Sequence, residues 1–390
     1  MALFDLINRP SYSLQDQLDK TANRPSGFDY MRIVLAVAVL AWHAPWLIVG
    51  RFPTGPISWT YPFAFALVPM FFGLSGFLIA GSLDRSKTLV TFLGLRAIRI
   101  LPALAVEVLI SALILGPLLT TETKSAYFSS ADFYLYFLNL VGDIHYYLPG
   151  VFKTNKHDYV NGQLWTVPYE LYCYILISFL ALVGIFQRRT WLLFTLVLFY
   201  AAQLCNTILR GTVFSNGFPT GTQLMMACVA GMVIYRYREQ IPFSKGLFVA
   251  SALLTFVCLS MPAGSRFVAL PVAYTAVYLG LLNPNRNRLL LSGDYSYGVY
   301  LYGFPIQQAL IVISPLFSIW YWHLPAALFC AFAAAACSWW LVEKPALGQR
   351  GKLKVVEARW LAFRPTLRER FLASSIFLLS RRRVNAAEAD

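Results

Sequence analysis

Apolar runs of about 17 to 25 residues, each long enough to cross a hydrocarbon core, recur from residue 31 to residue 342. A chain built this way must satisfy its backbone polar groups internally wherever it meets lipid, so helices are the expected element. With 58% hydrophobic and 13% charged residues it departs from ordinary soluble domains in the same direction. The expectation is an all-α integral membrane protein, a bundle of about ten transmembrane helices. They are placed near 30–50, 62–82, 100–119, 164–186, 191–209, 221–235, 246–261, 267–282, 295–313 and 323–342. Segment 131–142 is too short to cross and reads as an interfacial helix on the outer side.

Charge orients the bundle. With the amino terminus inside, 26 of the 32 Lys and Arg residues fall on inner segments or the carboxy-terminal tail. That asymmetry is what insertion favours, and it makes both termini cytoplasmic. The net charge of +14 is not gathered into a basic domain, so nucleic acid is excluded as a partner and the lipid bilayer takes its place. The segments are 1–28 (cytoplasmic), 29–345 (membrane domain) and 346–390, a basic tail whose FLASSIFLLS and Arg381-Arg382-Arg383 suit anionic lipid. No cleaved signal peptide is read at the start. The six cysteines lie in apolar stretches without metal-ligand spacing, so they read as packing residues and no metal site is expected.

Ionisable groups inside spans are costly and so become candidate site residues. Arg32 and His43 stand eleven residues apart, close to three helical turns, on one face and about 16 Å apart along the axis. Arg32 alone could be a snorkelling flank charge, and His43 alone could be bonded to a neighbouring helix. Glu170, near the outer start of the fourth span, shares the depth of His43. A carboxylate there could orient the imidazole as a general base, or could simply be a buried glutamate bonded to a tyrosine or the backbone. Glu107 is a further buried candidate with less company. Ser75 and Gly76, with Gly73, interrupt a bulky helix and permit close approach by another helix or a slender ligand. Arg96 and Arg99 could grip phosphates, although topology alone also places arginines there. The outer connection 120–163, rich in tyrosine and mixed charge, could hold a polar ring-shaped substrate or be a solvated loop.

FDYMRIVLAVAVLAWH, MFFGLSGFLIAGSL, LRAIRILPAL, LWTVPYELYCY, SYGVYLYGFP and LVEKP follow one another over about residues 28 to 345. This ordered set resembles the acyltransferase-3 family of membrane O-acyltransferases. The resemblance implies transfer of an acyl group, usually acetyl, from cytoplasmic acyl-CoA to a hydroxyl of an extracytoplasmic or lipid-linked glycan, in a bacterial inner membrane. It further implies that Arg32 and His43 are the essential pair, that Arg96 and Arg99 form the inner arginine motif, and that Glu170 is the acid of the Leu-Trp segment. Acetyl-CoA would be a donor substrate and no permanently bound cofactor is implied. Gly303 stands where the family often has histidine. Arg32, Arg96, Arg99, Ser75 and Gly76 are the donor-binding candidates; His43, Glu170 and Arg32 are the catalytic ones. The main alternative is a proton-coupled transporter or flippase using His43 and Glu170 as a relay; a third reading is a non-catalytic membrane sensor.

Overall fold

A computed structural model describes residues 12–51, 60–86, 88–210, 219–261, 264–288, 292–353 and 355–359. Residues 360–390 of the basic tail, with its three terminal arginines, together with Lys354, Arg9 and Lys87, lie outside the described residues. The regular elements of the described residues are helices, with no strand among them beyond two isolated bridges, Ser13 with Pro242 and Thr120 with Val151.

A short amphipathic helix, α1 (Leu14–Lys20), is closed at its start by a Ser13–Asp16 capping box. Its Leu14 and Leu18 are buried, and Gln17 donates to the Leu281 carbonyl at 2.8 Å, so this segment packs onto the body. Ten longer helices follow: α2 (Gly27–Val49), α3 (Tyr61–Asp84), α4 (Leu89–Ile110), α5 (Val167–Leu182), α6 (Arg189–Arg210), α7 (Gly221–Arg236), α8 (Lys245–Ser260), α9 (Ala269–Leu281), α10 (Ser296–Ile313) and α11 (Trp320–Ser338). Each sits where an apolar run predicts one. Helical structure continues from α4 through a π turn, Ser111–Leu115, to Leu119, and from α11 through a second π turn, Trp339–Glu343.

By length and composition, five helical stretches of the described residues can cross a membrane: Gly27–Val49, Tyr61–Asp84, Leu89–Leu119, Gly162–Leu182 and Trp320–Arg359. Their outward faces carry exposed large apolar side chains such as Leu118, Ile175, Leu182 and Phe329, the surface that lipid would cover. The segment 131–142 forms two short pieces, Ala131–Leu135 and Tyr136–Val141, neither of spanning length. Cys173, Cys228 and Cys258 are buried, but Cys205 and Cys337 face outward and do not pack inside the protein.

At the centre, α7 and α9 are buried almost all round, and α3 lies against both. Small residues make this possible. A Cβ on Gly76 would overlap the backbone carbonyl of Cys228 in α7, and one on Gly73 would come within 2.8 Å of Ala273 Cα in α9. Backbone cannot yield as a side-chain tip can, so Gly76→Leu should destabilise the bundle by about 2–3 kcal/mol through overpacking. A lowered thermal midpoint in detergent would register it; an unchanged midpoint would show that α3 and α7 separate freely.

Candidate functional site

The amino-terminal halves of α2 and α4 meet the loop before α10 around one carboxylate that sequence reasoning missed. Arg99 Nη2 lies 2.5 Å from Asp294 Oδ2, and Arg32 Nη1 lies 3.5 Å from the same oxygen. The Ser296 hydroxyl donates to the other oxygen at 2.7 Å. Burial works against a charge on Asp294, but the guanidiniums of Arg99 and Arg32, with the Ser296 hydroxyl, outweigh it and hold the carboxyl below the usual carboxylate range. The third arginine, Arg96, donates to Ser82 Oγ at 2.7 Å, and its buried Nε has no hydrogen-bond partner among the described residues. Two guanidiniums thus converge on one carboxylate, and the third, Arg96, lines the same cavity without a carboxylate partner among the described residues, which suits an anionic ligand. Removing that carboxylate strands two half-buried cations. Asp294→Ala should therefore lower stability by about 3 kcal/mol, and Asp294→Asn by less, as measured by thermal unfolding.

A cavity of about 90 Å³ runs from these arginines between α2, α3, α4, α5 and α10. Arg32, Arg96 and Arg99 line one part; Ser75, Glu170, Tyr174, Tyr297 and Tyr300 line the rest. Gly76 is not in this lining, because its position is taken up by the contact with α7. Of the aromatic residues around it, Tyr297 donates to the Ile100 carbonyl at 3.2 Å, while Tyr300 donates to the Gln163 carbonyl at 2.5 Å and lies 2.6 Å from Thr166 Oγ1.

His43 stands in a different, smaller space of about 10 Å³. Its neighbours there include Gly303, Phe304 and Gln307 of α10. Val39 and Tyr300 line both spaces, so they form the wall between the arginine cavity and the imidazole. A Cβ on Gly303 would press on the Leu40 side chain, at 2.8 Å, so the glycine makes room for Leu40 in the wall of this space.

The shared depth of His43 and Glu170 does not bring them together. Glu170 Oε1 accepts from Tyr174 at 2.6 Å and belongs to the arginine cavity. His43 Nδ1 lies 2.7 Å from the Val39 carbonyl one turn below it. A carbonyl only accepts, so Nδ1 carries the proton and the lone pair falls on Nε2. The orienting group expected of a carboxylate is therefore a backbone oxygen of the same helix. Glu107 also stands apart: it is buried and accepts from Ser111 at 2.7 Å, at the π turn. Sequence reading also passed over His323, fully buried, with Nδ1 2.9 Å from the Phe317 carbonyl and Nε2 3.2 Å from Gln307 Oε1. Since Nδ1 donates, the contact at Nε2 is satisfied if the Gln307 amide is turned to present its nitrogen.

Comparison with known proteins matches residues 26–344 to the acyltransferase-3 family model, described as an acyltransferase domain. The chain belongs to this family. Two curated relatives extend over most of its length. It is 27% identical to an "O-acetyl transferase" of Shigella phage Sf6, over 81% of this chain and 94% of the relative. It is 26% identical to "Nodulation protein 10" of Rhizobium leguminosarum bv. viciae, over 86% of this chain and 96% of the relative. No solved structure gives a significant match. Membership, together with the apolar helices, makes this acyltransferase a multi-pass membrane protein.

Proposed function

We propose that this acyltransferase is an O-acetyltransferase that moves an acetyl group from cytoplasmic acetyl-CoA to a hydroxyl of an extracytoplasmic or lipid-linked glycan. The observation that carries the reading is the shared wall of Val39 and Tyr300. It separates a cavity headed by three arginines from a histidine whose Nε2 is free to take a proton. The phage relative's name is in keeping with acetyl as the group transferred.

In this reading all ten long helices cross a bacterial inner membrane, both termini are cytoplasmic, the catalytic domain runs over 29–345, and the segment 346–390 lies along the inner leaflet. Phosphates of the donor bind Arg32, Arg96 and Arg99, and its slender arm passes Ser75 toward Val39 and Tyr300. His43 Nε2 then removes the acceptor hydroxyl's proton as the oxygen attacks the thioester carbonyl. A tetrahedral oxyanion forms; its collapse breaks the C–S bond, and the proton on His43 passes to the departing thiolate. Glu170 holds Tyr174 beside the arginines and acts on the donor side. The transporter alternative is less well supported, because its relay would have to join His43 and Glu170 across two cavities.

The test is transfer of label from [acetyl-14C]acetyl-CoA to a surface-glycan pool by the full chain in lipid nanodiscs. Arg32→Ala should raise the KM for acetyl-CoA about tenfold or more, the loss of one charge-assisted contact, with insertion intact. Unchanged kinetics would return Arg32 to a purely topological role, and proton-coupled glycan flux without acetyl-CoA would favour transport.

A further inference from the structure

Apart from the arginine cavity, the 120–163 connection forms a second, more open one. It has about 540 Å³ and is lined by Glu122, Asp132, Tyr147, Lys153 and Asp158. This volume falls in the range of small-molecule sites. Carboxylates that accept, an ammonium that donates and an exposed aromatic face together suit a hydroxyl-rich ring with apolar C–H faces. Lys153 is already paired with Asp158 at 2.6 Å, which leaves Glu122 and Asp132 to set the sign of the cavity. That sign disfavours an anionic ligand.

Aromatic rings connect this cavity to His43. Tyr147, 43% exposed, lies 5.3 Å from Tyr159; Tyr159 lies 5.9 Å from Trp46 in stacked orientation, and Trp46 lies 6.4 Å from the His43 ring. His157 stacks on Trp46 at 3.9 Å. This run is built, not incidental. The fully buried Gln308 of α10 donates to the carbonyls of His157 and Tyr159 at 2.8 and 2.7 Å, and accepts from Asn155 at 2.8 Å. A buried amide satisfied by three bonds holds the loop in register with α10, the helix that also lines the space of His43.

We infer that the cavity at Tyr147 seats an uncharged sugar ring of the acceptor, with Tyr147 as its stacking face and the aromatic run guiding the chain toward His43. The inference rests on the acyl-transfer reading and adds to it where the acceptor docks and which sign of charge it avoids.

The experiment uses the full chain in nanodiscs, [acetyl-14C]acetyl-CoA, and a surface-glycan pool split by anion exchange into neutral and acidic fractions. Wild type should label the neutral fraction at least fivefold more than the acidic one. Tyr147→Ala should raise the KM for the neutral fraction about tenfold, with the KM for acetyl-CoA unchanged, and Tyr147→Phe should stay within twofold of wild type. The pair Glu122→Gln and Asp132→Asn should improve labelling of the acidic fraction at least threefold; both residues are exposed, so this variant reports even if Tyr147→Ala does not fold. Preferential labelling of the acidic fraction, or an unchanged neutral KM in folded Tyr147→Ala, overturns the inference. Absence of any labelling by wild type would instead overturn the acyl-transfer reading itself.

Discussion

Replacing His43 by glutamine should lower acyl transfer by about 10²–10⁴-fold while leaving acetyl-CoA binding intact, the loss expected when a general base is removed. The side chain stands away from the three arginines, across the wall of Val39 and Tyr300, so donor affinity has no reason to change. The imidazole has the arrangement that a general base needs. Nδ1 is committed to the Val39 carbonyl at 2.7 Å, and Nε2 is left as the proton acceptor. Glutamine can keep a hydrogen bond to that carbonyl but cannot take a proton. Single-turnover transfer, with donor binding measured separately, distinguishes the two effects. A glutamine variant that still turns over within a few-fold of wild type would exclude His43 as the base.

Blocking the wall should be nearly as damaging. Val39→Trp places an indole where about 90 Å³ of cavity meets about 10 Å³ beside His43, so transfer should fall at least 100-fold, the scale of a misplacement of the reacting groups. Donor binding at the arginines should persist, since Arg32 lies about two turns away. Val39→Ala serves as the control: it widens the same point and should keep transfer within a few-fold. Equal losses in both variants would mean that position 39 matters for packing and not for passage.

The ten helices were legible because length and hydropathy are local properties. The run from Gly27 to Val49 announces itself whatever it packs against, and Gly50, at φ 83°, ends it as a left-handed cap. Family motifs likewise pointed to Arg32, Arg96 and Arg99, which the fold gathers at one cavity. The expected pairing of Glu170 with His43 came from depth, which is one coordinate; the rotation of each helix about its axis sets the other. That rotation is decided by packing, and it turns Glu170, with Tyr174 one turn on, into the arginine cavity. Asp294 left a readable trace all the same. An acidic residue in a short connection on the arginine-rich side is a natural counter-charge for residues such as Arg32 and Arg99.

For the proposed donor site, the carboxylate of Asp294 also bears on which anions would compete. Tethered between Arg32 and Arg99, it acts as a resident competitor whose effective concentration a freely diffusing monovalent ion does not match. Chloride or a lone phosphate would have to evict it one contact at a time. In the proposed donor site, a molecule with several phosphates on one skeleton would meet the same competitor multivalently, so the occupied resting state would work as a filter for donor identity.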